Sequence, residues 1–374
     1  MGLMSGTSAD GVDSALVEVG KNRLRLLAAG FHRYPPSVRR EVLAASESGG
    51  SADLVCTLNA RLGKIFGAAA VGLARKNKIP LRKIDFIGSH GQTIRHLPSQ
   101  KRGGPSSTLQ VGDGAEISRA AGVVVVSDFR TADVAAGGCG APLAPLAHHV
   151  MFSSKRENRI VHNLGGIGNL TWLSAGGGLE EVSGFDAGPA NMLLDLCAER
   201  FLNKTYDKNG AFALSGRVDG KLLRRCLSHP FFRKNPPKSA GREIFGNDYF
   251  NELVERFSDV APADFMRTLC AATAQTSVGQ ALRFFRVKGR VRWIACGGGA
   301  YNRAVMLELK NRLGAAGETT TSGALGFGEK SVEAVMMAIL AHRTIQCLPG
   351  NLPRVTGARK HAVLGKISLP GPDF

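Results

Sequence analysis

The chain has 374 residues, 44% of them hydrophobic and 21% charged, an ordinary globular balance that excludes a disordered or fibrous polymer and points to two domains. Lys and Arg outnumber Asp and Glu by 48 to 30, a net charge of +18, with only four Tyr and two Trp. So few stacking rings, and the lack of any nucleic-acid motif, argue against a nucleic-acid partner despite the charge. The basic residues are spread along expected helices such as RLRLLAAGFHR, SVRREV and ALRFFRVKGRVR.

In chain order, GLM is the stub of a strand that runs into SGTSADGVD, and SALVEV alternates as a returning strand. One helix is expected after Pro35-Pro36. A second carries an apolar stripe at Leu54, Leu58, Leu62, Ile65, Ala69 and Leu73. KIDFIG reads as a short buried strand ending in SHGQT. LQVGD, a helix over Ala115–Ala120 and the strand VVVVSDF follow. The Gly/Pro-rich AAGGCGAPLAP marks a hinge or loop near a domain boundary, and the pattern then restarts with strands at RIVHNLGG, IGNLTWLS and EVSGFDAGP and a helix at Ala190–Phe201. A mostly helical stretch precedes the buried strand RVRWIACGGG, a helix from about Arg303, a last helix over about Ser331–Ile345, and a basic tail. The expected division is 1–133 for an N-terminal α/β domain, rejoined by part of 346–374. A C-terminal α/β domain would take 134–345, with a helical insertion at about 202–288.

The longest apolar runs, Val123–Val126 and Ala334–Leu340, fall short of the ~18 residues a membrane span needs, and no signal peptide is expected ahead of the first motif. Seven widely spaced cysteines form no CxxC pair, which argues against a zinc site or disulfide framework. The expectation is a cytoplasmic protein without a membrane partner.

Chemistry concentrates in glycine turns. In MSGTSADGVD, Gly6, Thr7 and Ser8 offer amides and hydroxyls suited to phosphate oxygens, with Asp10 and Asp13 close by for Mg²⁺; a plain hairpin turn is the competing reading. NLGGIGNLT supplies a second such hairpin through Gly165, Gly166 and Asn169. Neither is a P-loop, and each opens an α/β half, as a pair of clamps on one phosphate chain would. In GFDAGPANMLLD, Asp186 stands at a strand end, either as a general base or as a helix cap. Gly297, Gly298 and Gly299 follow a buried strand, leaving room for a ribose or ring, or forming a structural crossover. SHGQTIRH offers His90 and Gln92, and Arg130 of DFRTAD can grip a carboxylate in bidentate fashion. PPKSAGREIF is a polar turn whose Lys238 and Glu243 either meet a ligand or cap a helix.

Taken in order, MSGTSADGVD, SHGQTIRH, VGDGAEI, DFRTADVAAGGCGAPLAP, NLGGIGNLT, GFDAGPANMLLD, PPKSAGREIF and CGGGAYN resemble the anhydro-N-acetylmuramic acid kinases over nearly the whole chain, including the tail LPGNLPRVTGA. The resemblance implies an α/β fold of the two-domain actin-like (ribonuclease H-like) kind, with ATP in an interdomain cleft, and a homodimer. It implies a kinase that uses ATP, Mg²⁺ and water to open the 1,6-anhydro ring of anhydro-N-acetylmuramic acid, giving N-acetylmuramic acid 6-phosphate for cell-wall recycling. By motif, Gly6, Thr7, Ser8, Ala9, Asp10, Gly11, Val12 and Asp13 would form the ATP phosphate loop, with Asp10 taken as a ligand of the metal. Gly165, Gly166, Asn169, Gly297, Gly298 and Gly299 would complete the nucleotide site. Asp186 would activate water, and His90, Gln92, Arg130 and Glu333 would contact the sugar. Ala187 and Ala190 stand where the family usually has Thr and Gly, and Cys139 where Gln is usual. A kinase for another sugar, or a nucleotide-binding module without turnover, are the alternatives.

Overall fold

In the computed structural model, which describes residues 1–6, 8–20, 23–46, 50–97, 106–285, 287 and 289–371, the chain begins with an antiparallel meander of β1 (Gly2–Met4), β2 (Gly11–Gly20) and β3 (Arg23–Arg33). β4 (Ile87–Ser89) lies parallel to β1 on its other side, β5 (Gln92–Leu97) and β6 (Ser107–Val111) form a separate hairpin, and β7 (Val125–Ser127) lies parallel to β4. The strand Lys366–Ser368 pairs antiparallel with β7 and closes the six-stranded sheet.

Further along, β8 (Asn158–Leu164), β9 (Ile167–Leu173) and β10 (Ser183–Pro189) form a second antiparallel meander. β11 (Val291–Cys296) is parallel to β8, and β12 (Gly317–Thr321) is parallel to β11. Each sheet therefore has the same order: third, second, first, fourth and fifth strand. Two glycine hairpins in the sequence hinted at this duplication; the strand order establishes the α/β, actin-like architecture.

The chain divides into one unit of Met1–Met151 with Ser331–Phe374 and another of Phe152–Lys330. The first unit thus runs to Met151 instead of 133 and resumes at Ser331 instead of 346. Packing explains the second difference. The helix Val332–Ile345 buries Val332, Ala334, Val335, Met337 and Leu340, and it lies so close to β1 and β4 that a Cβ on Gly2 would stand 1.8 Å from the Ala334 carbonyl oxygen, and one on Gly88 2.2 Å from that of Met337. On the other side of the division, residues 134–140 are tied by hydrogen bonds to Asp133 and Thr356 of the same unit.

The first unit's core is lined by the helix Ala52–Lys76. Ser51 Oγ caps it by accepting from the Leu54 amide at 3.1 Å, and Asp53 and Arg75 complement its dipole at opposite ends. By length and composition this helix is apolar enough to cross a bilayer, but Leu58, Leu62 and Phe66 are each fully buried in the unit's core, at about 1.5–3 kcal/mol apiece. The second unit's core gathers Trp293, Phe185, Phe231, Phe245 and Phe265 around the helix Pro262–Phe284.

One expected helix is a strand. RLRLLAAGFHR forms β3, with Arg23 and Arg25 exposed and Leu24 and Leu26 half-buried. That is period two, the spacing of a strand, and the alternation in exposure runs on to Phe31 although a bulge leaves Leu27 unpaired.

Candidate active site

In the first unit, the predicted residues gather at the carboxyl ends of β1, β4 and β7, where ligands of parallel α/β sheets bind. After β1 the chain turns through Gly6, Ser8, Ala9 and Asp10; Thr7 lies outside the described residues. The Ala9 amide donates to the Gly6 carbonyl at 3.2 Å, with Ala9 at a positive φ of 50°. A Cβ on Gly6 would meet nothing closer than Ser8 Oγ at 4.0 Å, so this glycine faces open space. Gly11 is glycine for packing, since a Cβ there would lie 2.4 Å from the His32 carbonyl oxygen. Val12 is wholly buried, and Asp13 pairs with Met4 inside the sheet.

Gln92 is spent on this loop. Its Nε2 donates to the Gly6 carbonyl at 3.2 Å, and its Oε1 lies 2.7 Å from Ser5 Oγ, which is also 2.7 Å from the Gly11 carbonyl. Expected among the sugar contacts, Gln92 is buried against the Gly6–Asp10 turn and ties its backbone to β5.

His90 and Arg130 meet. Arg130 Nε donates to His90 Nε2 at 3.0 Å, which fixes the tautomer: His90 Nδ1 carries the proton and donates to the Gly91 carbonyl at 2.9 Å. Burial, then the neighbouring guanidinium, lowers the His90 pKa to about 3, so the ring stays neutral. Arg130 Nη1 donates to the Gly140 carbonyl at 2.8 Å. Burial lowers the Arg130 pKa to about 10, while the charges of Glu333 and Asp133 favour its protonated form. Glu333, in the first turn of Val332–Ile345, thus brings its charge to bear on Arg130.

In the second unit, three separated motifs come together at the ends of β8 and β11. Gly165 and Gly166 form the turn between β8 and β9, and their carbonyls accept from the Asn191, Ala190 and Met192 amides at 2.9–3.0 Å. The glycine hairpin therefore occupies the first amides of the helix Asn191–Leu202. Asn191 Nδ2 also donates to the Leu164 carbonyl at 2.8 Å; nothing but its place in the motif marks this residue in the sequence. Gly297, at φ 78°, would put a Cβ 2.4 Å from Asn163 Oδ1, and Gly299 one 2.7 Å from Asn191 Oδ1. Gly298 differs, for a Cβ there would find only Asn191 Nδ2 at 3.7 Å, an ordinary contact. Gly297→Ala is accordingly expected to lower thermal stability, whereas Gly298→Ala is expected to keep the wild-type melting temperature and lose nucleotide affinity; calorimetric titration of both variants checks the contrast.

Asp186 stands on β10 opposite Asn169, at the point where the register slips before Gly188. Oδ2 accepts from the Ala240 amide at 3.0 Å, and the Asp186 amide donates to the Lys238 carbonyl at 3.3 Å. The PPKSAGREIF turn thus straps the aspartate in place; the sequence marked this turn without linking it to Asp186. Burial raises the Asp186 pKa to about 6, with Glu243 adding to the rise and the Ala240 amide and Lys238 opposing it. Asp186 caps no helix: the residue before Asn191–Leu202 is Ala190, which has no capping side chain. Lys238 Nζ sits 4.8 Å from the Phe231 and Phe284 ring centroids and donates to Gln280 Oε1. Ala187 and Ala190, where the family usually has Thr and Gly, are each 1% exposed, so both departures fall within the core. Cys139 is exposed.

Among the described residues, no three His, Cys, Asp or Glu side chains converge as a metal site. Asp10 is exposed, with Oδ1 accepting from Ser8 Oγ at 2.8 Å. One carboxylate beside a turn of backbone amides fits Mg²⁺ taking its other ligands from phosphate and water, and does not fit a protein cage.

A duplicated α/β sheet with glycine turns at the ends of its parallel strands defines a protein of the actin-like fold class. The family model for anhydro-N-acetylmuramic acid kinase matches residues 1–370. Relatives carrying that name include one from Bacillus cereus (strain AH820), 37% identical across 99% of this chain and 98% of its own length. Another, from Shewanella amazonensis, is 40% identical across 98% and 97%. The chain belongs to the anhydro-N-acetylmuramic acid kinase family and is a phosphotransferase. Among solved structures, component A of the (R)-2-hydroxyglutaryl-CoA dehydratase of Acidaminococcus fermentans is similar at 14% identity and a TM-score of 0.43, covering 90% of this chain and 98% of that one. A ROK family glucokinase from Streptomyces griseus, in complex with glucose and AMPPNP, is similar at 12% identity and a TM-score of 0.38, covering 91% and 98%.

Proposed function

We propose that the protein uses ATP and water to open the 1,6-anhydro ring of anhydro-N-acetylmuramic acid, giving N-acetylmuramic acid 6-phosphate and ADP. The observation that carries this reading is the placement of Asp186: its Oδ2 accepts from a neutral backbone amide, and it lies opposite Asn169 of the glycine hairpin. Such a carboxylate is free to take a proton. It draws one from water as the water oxygen bonds to the anomeric carbon. The bond from that carbon to O6 breaks, O6 takes the γ-phosphoryl group, and the bond to the β-phosphate oxygen breaks to release ADP. Asp186 then returns its proton to solvent. Gly6–Asp13, Gly165–Asn169 and Gly297–Gly299 serve the nucleotide, and Arg130 and Glu333 serve the sugar, with Arg130 on its lactyl carboxylate. Asp10 would hold Mg²⁺, which when bound neutralises phosphate charge.

The relatives' names support this substrate for the present chain. The deciding assay incubates the protein with ATP, Mg²⁺ and the anhydro sugar. ADP and one equivalent of sugar 6-phosphate are expected; ATP binding without either product would favour a module that does not turn over. Product formed from another hexose, and none from the anhydro sugar, would reassign the substrate. The homodimer and a cytoplasmic setting belong to the same proposal, and sedimentation velocity at micromolar protein tests the dimer.

A further inference from the structure

Asp133 and the tail motif LPGNLPRVTGA have no part in the chemistry above, yet Asp133, Asn351 and Thr356 form a buried polar knot in the first unit. Asp133 is 0% exposed. Its Oδ1 accepts from Asn351 Nδ2 and from Thr356 Oγ1, both at 2.7 Å, and its Oδ2 accepts from the Gly140 amide at 2.7 Å. All three donors are neutral. A buried carboxylate costs several kcal/mol that neutral donors offset only in part, so stability alone is a poor reason for the residue to be acidic.

Its neighbours supply a better one. Gly140 is held from both sides, its amide by Asp133 and its carbonyl by Arg130 Nη1 at 2.8 Å. The guanidinium Nε donates to His90 Nε2 at 3.0 Å. The loop is shaped around the carboxylate: a Cβ on Gly138 would lie 2.2 Å from Asp133 Oδ2. The Cys139 amide donates to the Thr356 carbonyl at 2.8 Å, and the Arg359 amide to the Ala136 carbonyl at 2.8 Å. Both edges of the loop are thereby stitched to the tail. Residues 351–359 reach Arg130 through one carboxylate and the backbone of one residue, Gly140.

We propose that Asp133, Asn351 and Thr356 form a positioning unit that sets the Arg130 guanidinium for a carboxylate on the substrate, so that the C-terminal segment governs selection of an acidic over a neutral sugar. This rests on the assignment of Arg130 to the lactyl carboxylate. The three residues touch no substrate; they act through Gly140 and Arg130. Losing one of the hydrogen bonds to Asp133 lets the guanidinium drift, which weakens binding of the carboxylate in ground and transition states alike.

The test measures kcat and KM for the anhydro sugar, and the inhibition constant of the same sugar lacking its lactyl carboxylate, in Thr356→Val, Asn351→Ala, Arg130→Ala and the Thr356→Val/Arg130→Ala pair. Thr356→Val and Asn351→Ala are expected to raise KM about fivefold to tenfold with kcat nearly unchanged. They should leave the inhibition constant of the neutral sugar unchanged, and Thr356→Val should add nothing once Arg130 is gone. Thr356→Ser, which keeps the hydroxyl, is expected to restore wild-type values and serves as the folded control. Equal weakening of both sugars in Thr356→Val and Asn351→Ala would make the knot merely structural and overturn the proposal. Discrimination lost in Arg130→Ala but intact in Thr356→Val and Asn351→Ala would also overturn it while leaving the Arg130 assignment standing. If Arg130→Ala itself discriminates as wild type does, the Arg130 assignment fails and the positioning unit with it.

Discussion

Asp186→Asn is expected to lower kcat by about 10²–10⁴-fold, the usual contribution of a placed general base, with ATP affinity unchanged in a calorimetric titration. The amide keeps the shape of the side chain and can still accept from the Ala240 amide, but it cannot take a proton from water. The wild-type pH profile gives an independent check. A base must be deprotonated to act, and burial raises the Asp186 pKa to about 6, so kcat should rise with pH through about 6 and level off above it. A profile flat down to pH 5 would remove Asp186 from the role of base. The stability linkage runs the other way. Because the folded pKa lies above the ordinary aspartate value of 3.8, the native state binds the proton more tightly than the unfolded chain does, and stability falls as pH rises from about 4 to about 6. Asp186→Asn removes this dependence, so the variant should melt no lower than wild type at pH 8. Lost activity would then not be lost fold.

Gly88→Val is the second large expected effect, this time on stability. β4 lies between β1 and β7, and the helix Val332–Ile345 crosses close above it. A Cβ on Gly88 would stand 2.2 Å from the Met337 carbonyl oxygen and 2.8 Å from Ala341 Cβ. The first is a helix backbone atom and cannot swing aside as a side-chain tip would, so the helix must lift off β4. A cost of about 3 kcal/mol or more is expected, the upper part of the range for overfilled cores. Chemical denaturation should show a lower midpoint, with the second unit's transition unmoved because Phe152–Lys330 contains neither partner. An unchanged midpoint would mean that the helix does not seat on this strand.

The sequence was legible where chemistry and periodicity coincide. The stripe from Leu54 to Leu73 marked a helix because its residues recur by three and four, and that face is buried. The paired glycine hairpins pointed to duplication, and both sheets share one strand order. β3 was misread because Leu27 and Phe31 are apolar side chains at exposed positions, which hides the alternation in the sequence, and β12, GETTT, is too short and polar to stand out. At the site, residue types revealed which groups can bind or react but not which are already committed. Gln92 looks like a ligand contact in the sequence, yet its amide is spent on Gly6. The Ala240 amide against Asp186 and the Asn351 side chain against Asp133 join positions 54 and 218 residues apart, and no local pattern encodes such a pairing.

The first unit is discontinuous in the chain, and this bears on how the protein comes off the ribosome. The second unit is one uninterrupted stretch and has all its strands once residue 330 has emerged. The earlier-synthesised β1 and β4 meanwhile lack the helix that covers Gly2 and Gly88, so the face these glycines line stays bare through nearly all of translation. Maturation therefore runs against the order of synthesis, with the amino-terminal half finishing last. Nascent chains stalled before residue 331 should bind trigger-type chaperones through those strands and release them once the final helix has emerged.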